Sequence, residues 1–274
     1  MPEFRLSSPN RPTGSARLMI VRILTLTALW IGLPLAACAQ APQIIRPEVV
    51  AEYPHDPAAF TQGLFIHEGE LFESTGRVGQ SSLRRVDLET GQVEQSVAIA
   101  PPVFGEGSAR IGDEIFMLSW VSERGFIFNA ETFEQINSFS YPGEGWGLTF
   151  DGTHLILSDG TPELRFLDPA TMTLSHTINV TMNGRPIRRL NELEWIDGMI
   201  WANIWETRSI VRIDPETGAV DAMIDLSALV PPEVAGRRDA VANGIAWNAR
   251  TGQIYVTGKL WPTLYEIRLP EPSD

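Results

Sequence analysis

Glu106 stands in the run Phe-Gly-Glu-Gly (104–107), and Lys259, in Val-Thr-Gly-Lys-Leu-Trp-Pro (256–262), is the one lysine among 21 basic residues. Glycines on both sides of a carboxylate supply no packing, but they let another backbone or a ligand come close. Wherever a generic positive charge was needed, this chain used arginine. The single lysine therefore points to a use for a compact ammonium with a tunable pKa, such as neutralising a developing oxyanion in a tight pocket. Trp120, Trp146 and Trp205 lie beside turns, where an aromatic face can stack on a ligand. Histidine metal chemistry is not expected, because His55, His67, His154 and His176 show no ligand spacing. The chain also lacks a nucleophilic serine motif and a phosphate-cradling glycine loop.

These residues recur at fixed places in a repeat. Five versions of one unit occupy 60–91, 104–132, 144–171, 191–218 and 243–269. Each has a glycine or polar turn, a short apolar strand, a second strand ending near Ser, Thr or Asn, and a third strand; in the first four the third strand closes on Asp-x-x-Thr or a close variant. The equivalent positions Gly63, Gly107, Gly147, Glu192 and Gly244 are spaced by 44, 40, 45 and 52 residues. That period, with several strands per unit, predicts an all-β fold, a five-bladed β-propeller. The first four units run on into a fourth strand (92–100, 134–142, 173–182, 219–227), but the fifth does not. The unpaired segment 47–55 is expected to complete the fifth blade and close the ring, removing open sheet edges.

First strands line the channel of a propeller, so the repeat sorts side chains by place. Phe60 and Gln62, Phe104 and Glu106, Glu144 and Trp146, Asn191, Glu192 and Glu194, and Asn243 gather at first-strand starts. Glu73, Trp120, Asp159, Asn203, Trp205 and Lys259 gather at second-strand ends. Aromatics, amides, carboxylates and one lysine thus converge on one end of one channel. A plainer reading applies to several: most tryptophans of β repeats are core, and Glu73, Glu192 and Glu194 suit backbone donors around the channel.

Residues 1–38 have another organisation. Four arginines precede an apolar run, Ile23 to Ala37, of 15 residues, short of the ~20 that span a bilayer, and the pattern is that of a secretory signal. Its end, Leu-Ala-Ala-Cys (35–38), resembles the lipobox of bacterial lipoproteins, which predicts a lipid anchor at Cys38. Cleavage before Gln40 is the alternative, and Met19 competes with Met1 as the start. The expected product is exported, periplasmic or tethered to the outer membrane, with a linker at 39–45 and one catalytic domain at 46–270. The net charge of −13 disfavours nucleic acid and anionic lipid as partners. No feature calls for an oligomer, and a monomer is expected.

The motifs Phe-Thr-Gln-Gly-Leu, Phe-Gly-Glu-Gly, Gly-Trp-Gly-Leu-Thr, Leu-Asn-Glu-Leu-Glu-Trp, Ala-Asn-Ile-Trp and Val-Thr-Gly-Lys-Leu-Trp-Pro occur in this order. From about residue 46 to 269 the chain resembles the glutaminyl-peptide cyclotransferases of the plant and bacterial type, five-bladed propellers distinct from the zinc-dependent animal enzymes. The resemblance implies cyclisation of an N-terminal glutamine to pyroglutamate with loss of ammonia, on peptides or proteins. It implies Glu106 as a proton shuttle, Lys259 and Asn191 as oxyanion donors, and Phe60, Gln62, Phe104, Trp120, Trp146 and Trp205 as the substrate pocket. No cofactor is required on this reading, although a structural divalent ion in the channel is compatible with it. Two other functions compete: a non-catalytic propeller that binds peptide or sugar termini, and a metal-assisted lactone hydrolase using residues such as Glu192 and Asn243.

Overall fold

A computed structural model describes residues 42–270; the signal, lipobox and alternative start lie outside the described residues. Two strands come first, β1 (Gln43–Ile45) and β2 (Glu48–Pro54). Blade one is β3 (Thr61–His67), β4 (Glu70–Thr75), β5 (Ser82–Val86) and β6 (Val93–Ala98). Blade two is β7 (Gly105–Ile111), β8 (Glu114–Ser119), β9 (Arg124–Asn129) and β10 (Gln135–Ser140). Blade three is β11 (Leu148–Phe150), β12 (Leu155–Leu157), β13 (Glu163–Leu167) and β14 (Leu174–Asn179). A small hairpin, β15 (Thr181–Met182) and β16 (Arg185–Pro186), leads to blade four: β17 (Leu190–Ile196), β18 (Met199–Ile204), β19 (Ser209–Ile213) and β20 (Val220–Asp225). Blade five is β21 (Ala242–Asn248), β22 (Gln253–Gly258) and β23 (Thr263–Arg268), with β2 antiparallel to β23 as its outer strand.

The innermost strands touch in a closed circle, β3 to β7 to β11 to β17 to β21 and back to β3. Five apolar clusters fill the gaps, one between each pair of neighbouring blades. The cluster that closes the ring packs Leu64, Leu71 and Val86 against Ala246, Tyr255 and Leu264. Second strands such as β8 are buried on both faces after their first residue, whereas the outer β6 is exposed at every second residue. Central strands therefore read as near-continuous apolar runs and outer ones as alternation. In the first four blades the third strand ends on a turn in which an Asp or Asn side chain accepts the backbone N–H three residues on, as Asp87 does from Thr90 at 2.8 Å and Asn129 from Thr132 at 2.9 Å.

The linker expected at 39–45 is corrected at its end. Gln43–Ile45 pair in parallel with Ala222–Ile224, adding a fifth strand to blade four. Three residues are too few to show alternation, and their partner lies far along the chain.

Glu73 is not at the channel mouth. It accepts from Arg84 Nη2 at 2.6 Å and Thr61 Oγ1 at 2.7 Å, and His55 lies within 3.2 Å. Although burial opposes ionisation, the His55 and Arg84 charges hold this carboxyl down at about 2. The network ties β4 and β5 to the segment that follows β2.

Candidate active site at the channel mouth

Four of the five inner strands carry a β-bulge at their start, between Thr61 and Gly63, Gly105 and Ser108, Leu190 and Leu193, and Ala242 and Ile245. Bulges re-aim a side chain and interrupt the ladder. The first residues inside them are Gln62, Glu106, Asn191 and Asn243, so the same irregularity in four blades places an amide or carboxyl at the start of the inner strand. In blade three the equivalent place is Trp146, just before the short β11.

The layer below is packed by absence. A Cβ on Gly107 would lie 2.6 Å from Leu148 N and 2.7 Å from Trp146 O, and one on Gly63 would lie 2.6 Å from Ser108 N. Only glycine lets the inner strands close this tightly. Blade four has Glu192 at this level, and its carboxyl accepts from Ile245 N at 3.0 Å and Leu64 N at 3.3 Å. Those donors lie beside bulges. Glu194 likewise accepts Trp247 N at 2.9 Å. Both carboxyls sit in the channel as partners of backbone donors, and neither lines the mouth cavity.

That cavity, about 260 Å³, is lined by Phe60, Gln62, Phe104, Glu106, Trp120, Trp146, Asn191, Trp205 and Lys259. The nine residues that the resemblance assigns to the site therefore line one cavity. Glu106 is fixed through its backbone: Gly105 N donates to Ser81 Oγ at 2.9 Å, Gly107 N to Trp146 O at 2.7 Å, and Ser74 Oγ to Glu106 O at 2.8 Å. Its carboxyl is buried, and desolvation lifts it well above the ordinary carboxylate range; the Lys259 charge opposes this and the Glu144 charge adds to it. Desolvation thus favours the protonated form of Glu106.

Lys259 is held by Lys259 N to Val241 O at 2.9 Å and Leu260 N to Ala59 O at 2.7 Å, with Leu260 in the left-handed region at φ 62°. Its ammonium is buried, lies 4.8 Å from the Phe60 ring centre and donates to Gln62 Oε1 at 2.5 Å. Burial lowers its pKa to about 8, against the Glu106 charge that would raise it. Asn243 Nδ2 donates to Thr61 O at 2.9 Å, bracing the turn that carries Gln62. Asn191 is buried, and its Oδ1 has no hydrogen-bond partner among the described residues.

The aromatic wall comes in two runs of touching rings. Phe60 meets Phe104 edge-on at 6.1 Å, Phe104 meets Trp120 at 5.8 Å, and Trp146 meets Trp205 at 5.5 Å. Gly160 makes room for Trp146, since a Cβ there would lie 2.6 Å from the indole. Trp201 and Trp261 belong to the core instead. The Arg77 guanidinium, 4.4 Å over Phe60, had no signal in the sequence. Glu144 did, in a second Gly-Glu-Gly run (143–145), but its contact with two wall indoles follows only from the fold.

Comparison with known proteins agrees with the fold. The family described as glutamine cyclotransferase matches residues 23–269. The glutaminyl-peptide cyclotransferase of Arabidopsis thaliana is 44% identical over 230 residues, which cover 82% of this chain and 72% of that protein. The crystal structure of Myxococcus xanthus glutaminyl cyclase superposes with a TM-score of 0.78 at 39% identity, covering 83% of this chain and 98% of that one.

Proposed function

We propose, since the chain belongs to the glutamine cyclotransferase family, that its mouth cavity closes the N-terminal glutamine of a peptide into pyroglutamate and releases ammonia. The observation that carries the mechanism is a buried Glu106, its protonated form favoured by desolvation, sharing an aromatic cavity with the one lysine. The substrate's α-amine, with an ordinary pKa of about 8, supplies the nucleophile. Because Glu106 keeps its own proton, the amine beside it is free to be neutral. The amine nitrogen attacks the side-chain amide carbon, so that a C–N bond forms and the carbonyl oxygen gains charge. Glu106 gives its proton to the departing amide nitrogen and regains one from the attacking nitrogen. The carbon–nitrogen bond of the amide then breaks, and ammonia leaves with the balance of protons intact.

Lys259 and Asn191 serve the oxyanion as donors, Lys259 from an ammonium already fixed by Gln62. The ring of Phe60, Phe104, Trp120, Trp146 and Trp205 holds the substrate side chain folded back on its amine, turning a flexible chain into a near-attack conformer. Metal is not part of this scheme. The lactone-hydrolase alternative leaned on residues such as Glu192 and Asn243; the two oxygens of Glu192 accept backbone N–H groups, and Asn243 Nδ2 donates to Thr61 O. Export by residues 1–38, with Cys38 as a lipid anchor, belongs to the same proposal and rests on the sequence pattern.

Purified protein given a Gln-initiated dipeptide is expected to release ammonia and pyroglutamyl product in equal amounts, at the same rate with and without EDTA. Binding without ammonia release would replace the proposal with a peptide-binding propeller. Loss of activity only with EDTA would make a bound metal part of the reaction.

A further inference from the structure

Glu144 lies outside the cavity lining, yet its Oε2 accepts from Trp120 Nε1 at 2.7 Å and from Trp146 Nε1 at 2.9 Å. One oxygen thus joins two indoles of the cavity wall, one from the end of β8 in blade two and one from the start of blade three. Trp120 is 42% exposed, so packing alone does not hold its ring. The loop that carries Glu144 is itself pinned, because Arg165 donates from Nη1 to Pro142 O at 2.6 Å and from Nη2 to Glu144 O at 2.7 Å. Gly145 N adds a bond to Trp120 O at 3.0 Å. Among the described residues no cation lies within ion-pair distance of the Glu144 carboxylate, whose hydrogen-bond donors are the two neutral indoles.

We propose that Glu144 is a positioning residue for the cyclisation: it clamps Trp120 and Trp146 into one wall and leaves a negative charge at the mouth that draws in the cationic N-terminus of a peptide. The inference rests on the cyclase reading of the cavity. Its two parts separate by chemistry. The clamp needs an acceptor oxygen, which a glutamine side chain also has, whereas the attraction needs the charge.

The test compares Glu144→Ala and Glu144→Gln with the wild type, using kcat and KM for a Gln-initiated dipeptide together with the indole N–H resonances of Trp120 and Trp146. Glu144→Ala is expected to move both resonances and to lower kcat by about tenfold, as the wall loses its set geometry. Glu144→Gln should keep both resonances near their wild-type hydrogen-bonded positions and restore kcat to within about threefold. Its KM should stay about threefold high at low salt, as expected for a partly exposed charge, and converge on wild type at high salt.

Unchanged resonances in Glu144→Ala, or a glutamine variant no better than the alanine variant, would overturn the clamp. A wild-type KM in Glu144→Gln at low salt would overturn the attraction. The resonances are read without turnover, so a wild type that released no ammonia would sink the cyclase reading and leave the clamp measurable on its own.

Discussion

Glu106→Gln is expected to lower kcat by about 10³-fold, within the range that a positioned general acid and base supplies. Glutamine has nearly the same shape and keeps a donor, so the aromatic wall and the backbone bonds of Gly105 and Gly107 remain. What it lacks is a transferable proton, and without one the amide nitrogen must leave as a poor, unprotonated group. KM should change little, because binding of the folded side chain relies on the wall. Loss of rate cannot be charged to unfolding. The folded pKa of Glu106 is raised, so its linkage favours folding fully below the unfolded value and is lost as pH rises through the folded one. At neutral pH the wild type already carries that burden, and the glutamine variant is relieved of it. Thermal melts should show the variant at least as stable as wild type at pH 7, beside stopped assays for ammonia.

Lys259→Met is the second large effect, with opposite signs in activity and stability. Removing an oxyanion donor of this kind costs about 10²–10³-fold in kcat. The same ammonium is a burden to the fold, because burial depresses its pKa from 10.5 to about 8. At ~1.36 kcal/mol per pKa unit the substitution stabilises the protein at pH 7 by up to about 3 kcal/mol, less whatever the lost bond to Gln62 contributed. In the wild type the sign is fixed by the direction of the shift: between about pH 8 and 10.5 the unfolded chain binds the extra proton, so stability rises with pH. Subtracting the methionine variant's stability from wild type across that window isolates the slope. In kinetics the same group sets an alkaline limb of kcat/KM near pH 8, and a faster, less stable Lys259→Met would contradict both halves.

Much of the fold was legible because its determinants are local and repeated. Asp- or Asn-x-x-Thr turns and glycines 40 and 44 residues apart mark the first three blades, and the leftover segment at 47–55 had one place to go. The mouth residues were legible for the same reason, since a side chain at a fixed offset in each repeat arrives at a fixed depth in the channel. What escaped depends on partners far along the chain. His55, from the segment that closes the ring, reaches Glu73 in blade one, Glu192 reaches residues 53 and 128 positions away, and Glu144 joins tryptophans of two blades. Such pairings follow from blade contacts, and no spacing within a repeat encodes them. Gln43–Ile45 escaped because a short parallel strand borrows its register from its neighbour.

The central claim is that the free enzyme holds Glu106 as a neutral acid at the pH where it works. A carbon-13 titration of the Glu106 side-chain carboxyl in the unliganded protein, assigned by its disappearance in Glu106→Gln, measures this directly. A carboxyl that stays protonated through neutral pH, far above the ordinary glutamate range, is the result predicted. A carboxyl that ionises near the ordinary value of 4.5 would leave no acid to protonate the departing nitrogen and would contradict the account.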